Sequence, residues 1–319
     1  MSCFQLVISS LLKKTKKKFQ YIWFESGTKL IIDKNNFRIT PYFKDFNKLV
    51  EEQLNLKFNK IRIENLNLLE NIDFNTKEYK GLGIKVDTHE LPYCMYYKDQ
   101  HNIHMIELIN YNSEYANIID HYYQFKGEIK KEHLFNAAIS VNKHFENDCS
   151  ELFWFESIDN KTIKTINFEE LLMSNYQMLR GNFNKEYNEN VKKDNIEYIG
   201  LEALQIFKNE VMCQLKNYNE IKLINQMMDK LSLMIKDMSN SRRLFRDLIY
   251  FHYSKPELKS LEDELLEASI MWNILSNLIL LTRIKSNYNY MLDRIESRIN
   301  LLIEQEHKVV NLFNGKIGT

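Results

Sequence analysis

The spacing of apolar side chains changes near residue 131 and divides the chain into two textures. Before that point, short apolar runs alternate with polar turns. After it, apolar positions recur at threes and fours over long stretches. At the start, Phe4, Leu6, Val7, Leu11 and Leu12 have the spacing of a helix with a buried side. YIWF (21–24), KLIID (29–33) and KIRIE (60–64) read as strands, with a helix across FNKLVEEQL (46–54). Further strands are expected at 82–87, in NIHMIELI (102–109) and in YANIID (115–120). NYNSE (110–114), rich in turn formers, separates the last two.

In the second texture KEHLFNAAISVNKHF (131–145) predicts a helix, SELFWFES (150–157) a strand or extended connector, and NFEELLMSNYQML (167–179) another helix. From 195 the pattern is helical almost throughout: 196–217, 220–238, 241–253, 256–284 and 288–313. Ser254, three residues ahead of Glu257, has capping-box spacing and marks one helix start. The expected fold class is α+β: an N-terminal domain with an antiparallel sheet over residues 1–150, then an all-helical, substrate-covering domain over 151–319. Trp272 and the aromatics at Tyr250–Tyr253 are expected to line an apolar wall in the helical part.

The length of 319 residues suits two domains, and 44% hydrophobic residues can supply a core for each. Basic and acidic residues balance at 43 each, which leaves no footprint for a phosphate backbone, so nucleic acid is not an expected partner. The opening MSCFQLVISSLLKK places its charges after its apolar run, the reverse of a secretion signal. IMWNILSNLILL (270–281) is short for a membrane span, carries two asparagines and reads as a core helix. The four cysteines show no paired spacing and read as reduced thiols of a cytoplasmic chain without membrane attachment.

Candidate chemistry gathers around the two strands after residue 101. If NYNSE is the loop, residue 109 pairs with 115 and His104 falls opposite Asp120, where a carboxylate would orient an imidazole. A slip of one residue would put them on opposite faces. His101 lies beyond the strand and His121 alternates away from Asp120, so both read as ordinary surface. A matching nucleophile belongs at a helix start, where unpaired N–H groups and the helix dipole favour a thiolate. Cys3 has that position. Cys94 belongs to a loop, and Cys149 and Cys213 read as core or surface thiols. No HExxH, HxH or close cysteine pair suggests a metal, and the glycines form no nucleotide-binding loop.

The segment from Lys85 to Ala138 resembles the core of the family of butirosin biosynthesis protein H, at Asp87, Leu91-Pro92-Tyr93, His104 and Asp120. The helix opening at Cys3 resembles that family's first helix, and 198–211 and 261–275 resemble the helical domain that follows. The resemblance implies a fold similar to papain-like and C39 cysteine peptidases. It implies a cysteine acyltransferase of natural-product biosynthesis, with Cys3 as nucleophile, His104 as base and Asp120 orienting it. The expected partners are an acyl or peptidyl carrier protein and a small amine acceptor. The substrate would arrive as a phosphopantetheine thioester, with no cofactor bound to the chain itself. The basic run KKTKKK (13–18) is the expected contact for an acidic carrier. Only Met1 and Ser2 precede Cys3, where papain-like enzymes carry an upstream glutamine, so the oxyanion donor must come from backbone N–H groups or elsewhere. Met105 stands where the family has an aromatic residue after the histidine. A cysteine peptidase and a non-catalytic scaffold or binding protein of the same fold are the alternatives.

Overall fold

A computed structural model describes residues 2–15, 22–33, 36–64, 81–146, 148–158, 167–182, 195–217, 221–253, 256–282 and 288–317. The chain forms two compact units, Met1–Phe19 with Phe46–Lys164, and Gln20–Asp45 with Thr165–Thr319. The spacing predicts one boundary at 150. The division is instead discontinuous, because strand β1 (Lys29–Asp33) pairs on one side with β2 (Asn36–Thr40) and on the other with β9 (Ile196–Ile199). Periodicity alone does not reveal a pairing across so much chain.

The first unit is a mixed α+β domain built on an antiparallel sheet. Among the described residues its six strands run in the order β3-β8-β4-β5-β6-β7: Leu56–Arg62, Glu151–Ser157, Leu82–Asp87, Ile103–Tyr111, Tyr115–Asp120 and Phe125–Lys130. Helix α1 (Cys3–Lys14) packs along β4, β5 and β8, α2 (Phe46–Leu54) on β3, and α3 (Lys131–His144) on β4, β6 and β7. The apolar positions of β4, β5 and β6 meet Leu134, Ala137 and Ala138 of α3 in one core.

Three features seat α1. Ser2 caps it: Ser2 Oγ accepts from Gln5 N at 3.2 Å, and Ser2 N donates to Gln5 Oε1 at 2.9 Å. The Phe4 ring rests in an aromatic cluster, 5.4 Å from Phe46 and 6.4 Å from Phe153 between centroids. Gly83 makes room for this cluster, since a Cβ there would come within 2.2 Å of the Phe153 ring. Farther along the helix, Ser10 Oγ donates to Glu107 Oε2 at 2.8 Å, and Lys14 pairs with the same carboxylate.

The second unit is largely helical. Helices α4 (Phe168–Arg180), α5 (Gly200–Asn217), α6 (Ile221–Tyr253), α7 (Lys259–Thr282) and α8 (Tyr288–Ile317) pack with the small β2-β1-β9 sheet. Their core includes Leu30, Phe207, Met238, Trp272, Ile295 and Ile299. Arg242 is buried and chelates Glu306 through Nε at 3.0 and 3.2 Å. Its other nitrogens donate to Ser26 O, Gly27 O and Thr28 Oγ1, which fixes residues 26–28. Pro256–Thr282 is long and apolar enough to cross a membrane by length and composition; half of its most apolar window is buried, and Leu265, Trp272 and Ile279 belong to the buried core.

Several expectations are corrected. Ile22, Trp23 and Phe24 are buried but not in a strand, and Tyr21 lies outside the described residues. β2 and the charge-rich β7 carry weak strand signals, and IEYI (196–199) is a strand rather than the start of a helix. The helices expected at 220–238 and 241–253 are one continuous α6. Ser241 Oγ donates to Met238 O within it at 2.8 Å, and Ser239 Oγ donates to Ser269 O of α7 at 2.7 Å. Ser254 lies outside the described residues, and Pro256–Leu258 forms a 3₁₀ turn. Trp272 is fully buried, its Nε1 donating to Glu306 Oε1 at 2.6 Å, while Tyr250 and Phe251 are exposed. None of these three lines an apolar wall in common.

The clamp on α1 yields a stability prediction. Glu107→Ala removes the buried carboxylate that ties Ser10, Lys14 and His121, and Lys14 can turn to water, so urea unfolding of the full chain, followed by circular dichroism, should show a loss of about 1.5–3 kcal/mol. Lys60→Ala removes an exposed partner of Glu151 and should cost about 1 kcal/mol or less.

Candidate functional site

The hairpin of β5 and β6 sets the site. Its observed register pairs Glu107 with Ile119 and Leu108 with Ile118, then shifts through a bulge so that Asn110 meets Asn117 and Tyr111 meets Ala116. The turn is Asn112–Glu114, shorter than NYNSE, and Asn112 Oδ1 closes it by accepting from Glu114 N and Tyr115 N, both at 2.8 Å. The expected 109-to-115 pairing is therefore wrong by three residues at the turn and, beyond the bulge, by two at the His104–Asp120 end. Extended one step, the register sets Asp120 beside Ile106, two residues from His104. An even displacement keeps both side chains on one face, and the pair forms diagonally.

His104 Nε2 lies 2.7 Å from Asp120 Oδ2, with the imidazole side chain 5% exposed and the carboxylate fully buried. Asp120 is met on every side. Tyr93 Oη donates to Oδ2 at 3.0 Å, and the backbone N–H groups of Tyr122 and Tyr123 donate to Oδ1 at 2.9 and 3.1 Å. Burial pushes its carboxyl up, but the bond to His104 and these donors hold it below the usual carboxylate range. An ionised aspartate only accepts, so Nε2 carries a proton and Nδ1 is the nitrogen left for Cys3. Cys3, half-buried at the first position of α1, hydrogen-bonds His104 through its side chain. Burial lowers the imidazole pKa, but the bonds to Asp120 and Cys3 outweigh it and raise the value to about 9. The structure thus brings Cys3, His104 and Asp120 together.

Aromatic side chains surround this group. The Tyr122 and Tyr123 rings lie 5.8 and 5.2 Å from the His104 ring, and Tyr93 stacks on Phe125 at 4.0 Å with planes 2° apart. Cys94 is buried in the turn that carries Tyr93 and hydrogen-bonds Tyr123; burial first and this bond second push the Tyr123 phenol up. Tyr93 belongs to the Leu-Pro-Tyr phrase, but its contact with Asp120 crosses 27 residues and no local pattern announces it.

His101 and His121 are more than surface residues. Asp87 Oδ2 lies 2.6 Å from His101 Nδ1 and accepts from Ser140 Oγ at 2.7 Å, while Oδ1 accepts from His89 N and Asn102 N. Asp87 thereby pins both ends of the segment that bears Tyr93. The His101 ring is sandwiched between those of His89 and His144, at 4.1 and 3.8 Å. His121 Nε2 lies 2.9 Å from Glu107 Oε2, joining the turn after Asp120 to the carboxylate that clamps α1. Among the described residues no group of three or more His, Cys, Asp or Glu side chains is arranged to hold a metal ion. Of the basic run at 13–18, Lys14 is engaged with Glu107, and Lys16–Lys18 lie outside the described residues.

Against known proteins, no family model matches the chain and no curated protein matches it.

A histidine whose folded pKa lies above its unfolded value of 6.5 stabilises the fold fully below pH 6.5, and that contribution is lost as pH rises through about 9. Urea midpoints measured from pH 6 to 10 should therefore fall through this window for the full chain. The difference between wild type and His104→Gln should shrink correspondingly, and a constant difference would contradict the charged pair.

Proposed function

We propose that the chain is a cysteine-dependent acyltransferase that moves an acyl group from a carrier-protein thioester to an amine. In this reading the sheet unit is a papain- or C39-like domain, of the kind found in the family of butirosin biosynthesis protein H. The observation that carries it is His104, bonded through Nε2 to a saturated aspartate and engaged on its other side by a cysteine at a helix N-terminus. A cysteine at a helix start bonded to an oriented imidazole is the arrangement that nucleophilic cysteine chemistry uses.

The reaction proceeds in two balanced steps. Cys3 Sγ attacks the thioester carbonyl, the carbonyl–sulfur bond to the carrier breaks, and the departing thiolate takes the proton of His104. The amine then attacks the acyl-enzyme, passes a proton to the now neutral His104, and expels the Cys3 thiolate as the amide forms. The backbone N–H of Cys3, at the positive end of the α1 dipole, is suited to the developing oxyanion, whereas Gln5 N and Leu6 N are already bonded to Ser2. Rings packed around His104 limit water, which would otherwise compete with the amine for the acyl-enzyme.

Incubation with an acylated carrier protein or an N-acetylcysteamine thioester should add one acyl mass to the wild type and none to Cys3→Ala. His104→Gln should slow loading by about 10²–10⁴-fold. An added amine should discharge the adduct as amide faster than water does. Peptide cleavage without thioester loading would favour a peptidase, and neither activity across a panel of acyl chains would favour a binding protein.

A further inference from the structure

Asp120 Oδ2 is shared. His104 Nε2 approaches it at 2.7 Å and Tyr93 Oη at 3.0 Å, so two donors draw on one oxygen. The other oxygen is occupied by two backbone N–H groups and cannot take over either role. The phenol is held rigidly: its ring lies flat on Phe125, and its segment is pinned at both ends by buried Asp87. A donor fixed against the acceptor of a catalytic dyad does more than pack. It withdraws electron density from Oδ2 and presents a partly positive hydrogen beside the imidazolium.

We propose that Tyr93 is a positioning residue that, by sharing Asp120 Oδ2 with His104, weakens the aspartate's hold on the imidazolium and thereby makes its proton easier to release. This rests on the reading of His104 as the acid and base of the acyl transfer. An imidazolium bound too tightly by Asp120 would be a poor donor to the departing carrier thiolate, and Tyr93 moderates that bond. The proton stays on the phenol, because burial and then the Asp120 charge push Tyr93 far above its ordinary range. The other groups acting on the dyad are Cys3 from α1, the backbone N–H groups of Tyr122 and Tyr123 from the turn, and, through Tyr123, the Cys94 thiol.

The test is an NMR titration of full-length protein labelled with ¹⁵N-histidine, with the His104 signal assigned by its absence in His104→Gln. Tyr93→Phe keeps the ring stack and removes only the hydroxyl, and it should raise the His104 midpoint by about half a pH unit. Incorporation of 3-fluorotyrosine at position 93 strengthens the donor and should lower the midpoint, which keeps the test decisive if the phenylalanine variant folds poorly. Tyr115→Phe, on the far part of β6, should leave it unchanged. An unmoved midpoint in folded Tyr93→Phe, or shifts of the same sign for both substitutions, would overturn the tuning role. Because the titration uses no substrate, it can fail while acyl loading succeeds, or succeed while loading fails.

Discussion

Three described carboxylates of the sheet unit, Asp87, Glu107 and Asp120, have no exposed surface, and a buried anion must be met by donors or give up its charge. Much of the unit's loop structure follows from meeting them. Asp87 collects the two ends of the segment after β4, together with His101 and Ser140. Glu107 collects Ser10 and Lys14 of α1 and His121 of the turn after β6. Asp120 collects His104, Tyr93 and two N–H groups of its own turn. Each carboxylate faces a histidine, so a carboxylate–imidazole pair does not by itself mark a reactive centre in this protein. The His104 pair is set apart by its bond to Cys3, and that bond depends on where α1 lies. Glu107 fixes that position from the far end of the helix, while Phe4 and the Ser2 cap fix it from the near end.

Local signals sufficed for parts of this. The apolar spacing after Cys3 located α1, and Ser2 with Gln5 carries the capping-box spacing that starts it. Period-2 patterning located β5 and β6, and the parity of residues 104 and 120 put their side chains on one face even though the register was misjudged by two. The shorter turn displaces the pairing by three residues and the bulge between Leu108 and Asn110 takes one back, so an extra residue that leaves no mark in the alternation restores the even displacement. Tyr93, Glu107 and His121 act through contacts remote in sequence, which periodicity does not encode. Burial of a glutamate inside β5 runs against the expectation that charged residues face water, and only the donors of another element make it tolerable.

The helical unit shows the same limit from the other side. Its long helices were legible from their threes and fours, but its membership was not, because residues 20–45 join it through β1–β9 pairing and through Arg242. Arg242 is a buried charge whose donors are spent on Glu306 and on residues 26–28, so the polar interior of this unit is structural in the same sense as Asp87 and Glu107. The serines inside α6 make the point at smaller scale. A polar run reads as a break, yet Ser241 donates back to Met238 O and Ser239 across to Ser269 O of α7, and the helix continues.

Every side chain in the proposed reaction belongs to the sheet unit, and their electrostatics are mutually dependent. Asp120 is kept anionic by four donors, which lets it hold His104 protonated beside Cys3. Removing one donor redistributes the proton among the rest. The proposed reaction must first give a proton to the departing thiolate and then take one from an amine, and so needs an imidazole held neither too tightly nor too loosely. The number of donors on Asp120 is the structural quantity that sets this, and the fold supplies them from three places in the sequence: β5, the turn after β6, and the Leu-Pro-Tyr segment.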